Sequence, residues 1–371
     1  MVDLSKAGEV HRRNGFAGVE EGRPRVPARR GDAATLRDVA RLAGVSVKTV
    51  SNVVNGYPHV SEDVRRRVST AVEQLCYRPN PSARNLRTGR TGTLALVLAP
   101  DVPYADRLTQ AVVDAAALAG FRVVIVPIDL AGALPVDGVL LCADVVAADV
   151  LDAWLGTGTA LVLLGVRRDE RFDHVAIDHA RAARDATDHL VRLGRRRIAA
   201  IGARPGEPDT RTAGYRLALS RAGIAPHPGY LRPAWRHRPG EGYRAAMDLF
   251  AHDHRPDAVF CYSDRLAIGV LGAAVDAGLR VPDDVAVIGM GEAEEGRFLR
   301  PALSTVSVDT SALARAAVTR IAARLGQAPW AVPTGRTLSA TTSDPQPAAP
   351  VTVTVPHRLL RRESCGGSRC Y

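Results

Sequence analysis

Apolar residues along the chain change their spacing at about residue 90. From Thr35 to about Leu86 they recur three and four apart. Leu36, Val39, Ala40 and Ala43 share one face, then Val50, Val53 and Val54, then Val64, Val68, Val72 and Leu75. This predicts short helices separated by Gly44 and by Asn55-Gly56-Tyr57-Pro58. From Leu94 onward, short apolar runs at 94–99, 122–127, 138–141, 160–164, 197–201, 258–261 and 285–289 predict buried parallel strands. Ala- and Leu-rich helical stretches lie between most of them, so the body reads as a doubly wound α/β structure. One connection is short: about eight residues separate Ile128 from Asp137, whereas a parallel crossover takes about a dozen or more. Either a helix is missing there or one strand is misplaced. Residues 332–350, rich in Pro, Thr, Ser and Ala, predict a loop before final strands at 351–355 and 358–360. Residues 1–33 have neither period and read as a mobile leader.

Charge sharpens the division. The chain has 371 residues and a formal charge of +10. Residues 1–90 hold 17 Lys or Arg against 9 Asp or Glu, so one quarter of the chain carries most of the excess. A basic module that meets a polyanion, attached to a nearly neutral body, fits this pattern, as does a basic tail that only aids solubility. The five cysteines, Cys76, Cys142, Cys261, Cys365 and Cys370, form no C-x-x-C pair, which points to no metal site, no disulfide framework and a reducing cytoplasm. No apolar run reaches the roughly 18 residues of a membrane span, and no cofactor motif is present.

Thr35-Leu36-Arg37-Asp38 has the form of a capping box. Gly44 suits the positive φ that ends a helix, and Ser46 can cap the next helix two residues later. Helices joined by so tight a turn read as a helix-turn-helix. With Val50, Val53 and Val54 turned inward, Val47, Lys48, Ser51 and Asn52 occupy the outer face. There Asn can bond adenine, Lys guanine, and Val a thymine methyl. Each of these residues alone is equally an ordinary cap, solvated charge or stray surface side chain; the set and its spacing carry the DNA reading.

Thr35 to Asn55, TLRDVARLAGVSVKTVSNVVN, resembles the N-terminal signature of the lactose repressor family. The likeness continues through Val60-Ser61-Glu62, Tyr77-Arg78-Pro79-Asn80 and Ala83-Arg84-Asn85-Leu86-Arg87-Thr88-Gly89. The resemblance implies a recognition helix in the major groove with Val47, Lys48 and Asn52 as base readers. Ser46, Thr49, Ser51 and Asn55 would hold phosphates or fix orientation, and Thr35 is counted among the DNA-binding residues. Ser61 is expected to cap a third helix. Asn80 can cap and Pro81 can open a further helix over Ser82–Arg87, which is too short to be stable alone. By the resemblance this hinge helix pairs with its dimer mate on DNA. Asn80, Ala83 and Arg84 would then lie at the duplex and Leu86 would wedge into the minor groove.

The body resembles the two-lobed periplasmic-binding-protein-like domain of the same family. Landmarks are Val136-Asp137-Gly138-Val139, Asp188-His189-Leu190, Ala213-Gly214-Tyr215, Pro256-Asp257-Ala258-Val259 and Val281-Pro282-Asp283-Asp284-Val285. The resemblance implies an effector in the interlobe cleft, a sugar or another metabolite. Arg211 would grip hydroxyls, Ser263 and Asp264 would follow a strand end, and Trp235 or His237 would face a sugar ring. Arg211 can instead be a lobe-stabilising ion pair, and core packing is the favoured reading of Trp235. Gly165 and Gly291 stand where sugar-binding members commonly present an aspartate, which makes a standard hexose effector doubtful.

The expected domains are a leader (1–33), a helix-turn-helix domain (34–79), a hinge and linker (80–92), a two-lobed effector and dimerisation domain (93–365) and a tail (366–371). The expected function is a cytoplasmic, nucleoid-associated regulator, most simply a repressor, binding a palindromic double-stranded operator as a homodimer, with no membrane partner and no enzymatic activity. A solute-binding protein without DNA function is the alternative, opposed by segment 35–89. No P-loop, G-x-S-x-G or H-E-x-x-H occurs.

Overall fold

A computed structural model of the chain describes residues 34–54, 56–78, 90–98, 102, 104–127, 134–142, 148–166, 168–203, 210–326 and 349–367. Its contacts divide it between Asn80 and Pro81 into two units. The expected leader, hinge helix and tail lie largely or wholly outside the described residues, as do Asn55, Asn80, Ala83, Arg84 and Leu86.

The first unit is three helices, α1 (Leu36–Ala43), α2 (Val47–Val54) and α3 (Glu62–Gln74). The capping box forms: Thr35 N donates to Asp38 Oδ2 at 3.0 Å and Asp38 N donates to Thr35 Oγ1 at 3.4 Å. Gly44, at φ 63°, ends α1, and Val45 N turns back to Ala40 O at 3.1 Å. Ser46 Oγ then accepts from Thr49 N at 3.1 Å and opens α2. Val39, Val50 and Val68 are fully buried, with Ala40, Ala43, Ala71 and Tyr77 around them. Each buried valine stabilises the small core by about 1.5–3 kcal/mol. Ser61 does occupy the N-cap of α3, but its side chain makes no capping bond. Glu62 and Asp63 in the first turn instead answer the helix dipole.

The second unit alternates strands and helices. In chain order its first part is β1 (Thr93–Leu98), α4 (Ala105–Leu118), β2 (Arg122–Val126), β3 (Gly138–Cys142), α5 (Ala148–Thr157), β4 (Ala160–Leu164) and β5 (Asp173–Ile177). Then follow α6 (His179–Arg192), β6 (Ile198–Ala203), α7 (Thr210–Arg221), β7 (Leu231–Pro233), α8 (Pro239–Phe250), β8 (Ala258–Cys261), α9 (Asp264–Asp276), β9 (Ala286–Met290) and β10 (Ser304–Val308). The chain closes with α10 (Thr310–Arg324), β11 (Thr352–Val355) and β12 (His357–Leu360).

These strands make two six-stranded sheets, ordered β11-β5-β4-β3-β1-β2 and β12-β10-β9-β8-β6-β7. Every pairing is parallel except β10 with β12. Each sheet with its helices is one lobe. The chain passes between them after β5, after β10 and between β11 and β12, so neither lobe is continuous in sequence.

Both strands around the short connection exist. They lie on opposite sides of β1, each parallel to it, so residues 127–137 step across one strand. The expectation that 122–127 is buried is corrected. The segment is an edge strand, and Val124 and Ile125 are exposed. Three strands carry no apolar signature. β5 begins Asp173-His174 and β10 reads Ser-Thr-Val-Ser-Val, both half polar yet buried, while β7 is three residues long. Asp173 tolerates burial because Arg320, Arg324 and Val351 N all donate to its carboxylate. Among the described residues no helix is long and apolar enough to cross a membrane.

Candidate functional site

In the first unit the capping of α2 decides which face is free. Val50 is held in the core, so Val47, one turn earlier, stands 42% exposed and Lys48 is open beside it. Ser51 and Asn52 are half-buried at the rim of the same face. Ser46 Oγ lies 2.8 Å from Thr49 Oγ1 and is occupied as the cap, so these two hydroxyls shape the entry to the helix. The helix therefore presents an apolar contact, a cation and an amide together, the mixture that reads base edges. Arg65 donates to Tyr57 O at 3.2 Å and fixes the loop after α2 against α3, while Arg66 stays exposed.

In the second unit, ligand sites of parallel sheets lie beyond the carboxyl ends of the strands. There the two lobes enclose a cavity of about 550 Å³ lined on one side by Tyr104, Asp106 and Arg107 and on the other by Arg265, Gly291 and Glu294. Gly165 follows β4 and Gly291 follows β9, at φ 92° and 125°, and neither offers a side chain. Gly165 O meets His174 Nε2 at 2.8 Å; burial lowers the pKa of this histidine, favouring the neutral ring.

Arg107, on α4 of the first lobe, reaches the second lobe. Its Nη1 donates to Gly291 O at 3.0 Å and lies 3.3 Å from Glu292 Oε2. Glu292 adopts φ 56°, unusual for a side-chain-bearing residue, and is 8% exposed. Arg297 and Ser307 donate to its carboxylate at 2.6 and 2.5 Å. Burial opposes its charge, but Ser307, Arg297 and Arg107 together hold its pKa below the ordinary value. The carboxylate is thus set on one lobe and gripped by an arginine of the other.

The sequence-derived effector residues divide. Arg211 is buried, with its guanidinium 5.1 Å from the Tyr262 ring, and Tyr262 Oη meets Thr212 Oγ1 at 2.7 Å. Ser263 Oγ caps α9 by accepting from Leu266 N at 3.2 Å. Asp264 is fully buried, taking Thr305 Oγ1 and Ala293 N at 2.6 Å each. Burial pushes its carboxyl up to about 6 against those bonds and the charge of Arg362, and Glu292 adds to the rise. Trp235 is 60% exposed, so the favoured reading as core packing is corrected: it follows the short strand β7 at the edge of its sheet. His237 is buried. None of these five lines the cavity. Sequence reasoning missed Arg107 and Glu292. The signal was a carboxylate one position after the glycine that lacks one.

A helix-turn-helix unit followed by two α/β lobes built around a cleft is the architecture of a DNA-binding transcription regulator. Residues 35–80 match the family described as bacterial regulatory proteins, lacI family, and residues 187–365 match the periplasmic binding protein-like domain. The HTH-type transcriptional repressor PurR of Erwinia tasmaniensis is 32% identical over 297 residues, 74% of this chain and 85% of that protein. Catabolite control protein A of Priestia megaterium is 31% identical over 73% of this chain and 86% of its own. A solved complex of the transcriptional regulator CelR with cellobiose is 29% identical, covers 89% of this chain and 99% of that chain, and has a TM-score of 0.62. The lac repressor dimer bound to operator and the anti-inducer ONPF, at 24% identity and a TM-score of 0.76 over 90% of this chain and 99% of that one, shares the fold. The chain belongs to the lacI family of bacterial regulatory proteins.

Proposed function

We propose that this protein is a transcriptional repressor that binds a palindromic operator as a homodimer, with α2 in the major groove and Leu86 wedged into the minor groove. The observation that carries the reading is the outward face of α2, where Val47 and Lys48 stand open with Ser51 and Asn52 at the rim while Val50 locks the helix to its core. The repressor names of relatives such as PurR support the direction of regulation. A second copy is supported by exposed apolar side chains on the second unit: Val124 and Ile125 on the edge strand β2, Val113 and Leu118 on α4, and Val275 on α9. An uncovered edge of this kind invites a partner. Leu86, Arg84, Ala83, Asn80 and Asn55 keep their proposed DNA roles from the sequence, since they lie outside the described residues.

The cleft takes a ligand other than an ordinary free hexose, or none. CelR was solved with cellobiose. In this chain Gly165 and Gly291 supply no carboxylate for vicinal hydroxyls, and Arg107 spans the lobes at Gly291 O. Arg211, Trp235, Ser263 and Asp264 remain the effector residues proposed from the sequence; none of them lines the cavity between the lobes, so any part they take is from behind its wall or outside it.

The deciding experiment selects operators from random duplex with the full chain and compares Leu86→Ala on the selected site. The variant is expected to keep weak, salt-sensitive binding and lose most of its preference over random DNA. Unchanged preference would remove the wedge, and failure of the wild-type chain to select any palindrome would defeat the repressor reading.

A further inference from the structure

The chain enters the first lobe at Arg90, Thr91 and Gly92, and the backbone N–H and carbonyl groups of Thr91 and Gly92 all have partners. Both carboxylate oxygens of Asp137 are spent on it. Oδ1 accepts from Thr91 N at 2.6 Å and from Thr91 Oγ1 at 2.9 Å, and Oδ2 accepts from Gly92 N at 2.8 Å. Arg122 takes the carbonyls, its Nη2 bonding Thr91 O at 2.8 Å and its backbone N bonding Gly92 O at 2.8 Å. Arg90 donates to Leu325 O, the carbonyl at the end of α10.

The next residue explains why α10 can reach this point. A Cβ on Gly138 would lie 2.8 Å from Ile321 Cγ2 and 3.3 Å from Ala160 O, so only glycine lets α10 settle on the start of β3. The other end of α10 begins immediately after the β10 crossing between lobes, where Asp309 Oδ1 accepts from Ala312 N at 2.8 Å. A helix of this length is a strut of about 22 Å, from the interlobe crossing to the root of the linker.

We propose that Asp137 is a positioning residue for operator binding. It clamps the linker root to β3 beside the end of α10, so that Thr91 and Gly92, which carry the chain into the first lobe, keep one fixed geometry. Thr91 and Gly92 have no freedom of their own while the carboxylate holds both amides, so a shift of α10 at the crossing is passed to residue 90 rather than absorbed. A neutral amide in place of the carboxylate would aim an N–H at one of the N–H donors, releasing one side of the clamp. This proposal rests on the regulator reading above.

The test uses the full-length protein with Asp137→Asn and Thr91→Val, and reads hydrogen exchange over residues 90–93 together with binding to the selected operator and to random duplex. Asp137→Asn is expected to speed exchange at Thr91 and Gly92. It should also lower operator preference by about tenfold or more, within the usual range of coupling between sites, while random-duplex binding, thermal melting and oligomeric state stay at wild-type values. Thr91→Val, which loses the hydroxyl but keeps both amide bonds, should show a smaller fall. Wild-type preference in Asp137→Asn, or equal losses on operator and random DNA accompanied by a lower melting temperature, would overturn the positioning role. If the wild-type chain preferred no palindrome, the regulator reading would fall instead, and unchanged exchange in Asp137→Asn would separately refute the clamp.

Discussion

Replacing Arg107 with alanine should loosen the contact between the two lobes. The guanidinium is 3.3 Å from the Glu292 carboxylate, for which the bare attraction is about 5 kcal/mol at an effective dielectric constant of about 20. The Arg107 side chain is 37% exposed, so water and lost side-chain freedom offset most of this. The charge-assisted bond to Gly291 O at 3.0 Å adds to what remains. A net contribution of about 1–2 kcal/mol follows, equivalent to a roughly 5- to 30-fold change in the ratio of closed to open protein. Glu292 keeps Arg297 and Ser307 in the variant, so the loop after β9 should stay folded and the effect should be confined to closure. Solution scattering and hydrogen exchange over 105–108 and 291–293 would measure it. The variant should be more expanded and exchange faster at both segments, and raising salt should move the wild type toward the variant. Identical scattering and exchange at every salt concentration would refute the latch.

Three further outcomes are expected. Lys48→Ala should change base preference at one position of each half-site, whereas Arg84→Ala should weaken binding to all sequences; equal loss on every sequence for Lys48→Ala would take it out of the readers. Asp264, with its carboxyl raised to about 6, stabilises the fold relative to its ionised form below its unfolded value of 3.8, and that contribution is lost as pH rises through about 6. Wild type should therefore gain on the order of 1 kcal/mol between pH 7 and 5 relative to Asp264→Asn in denaturant melts, and parallel pH profiles would contradict the raised pKa. Calorimetric titration with ordinary free hexoses should give no tight binding, and a micromolar heat signal from any of them would sink the reading of Gly165 and Gly291.

The first unit was legible in the sequence because its signals are local: a capping box at Thr35, a left-handed glycine at Gly44 and a second cap at Ser46 lie within one short stretch. The apolar strands β3, β4 and β8 were equally plain, since burial on both faces leaves an unbroken hydrophobic run. β5 and β10 were hidden because their buried polar side chains are satisfied by partners far along the chain, such as Arg324 for Asp173 and Asp264 for Thr305. Arg107 was hidden for the same reason: its partner lies 185 positions away, and nothing in the local pattern of α4 marks it. The exposed Trp235 shows the converse. A large aromatic favours burial on average, but Trp235 follows a three-residue strand at the edge of its sheet and stands exposed.

The three passages of the chain between the lobes also constrain how such a protein changes over generations. Each half is stitched from separate stretches of the chain, so no single cut or fusion of the gene can exchange one half for that of a relative. New ligand preferences must therefore arise by replacing individual side chains around the cleft. Gly165 and Gly291, which follow β4 and β9 at the strand ends, are positions where such a change would leave both sheets intact.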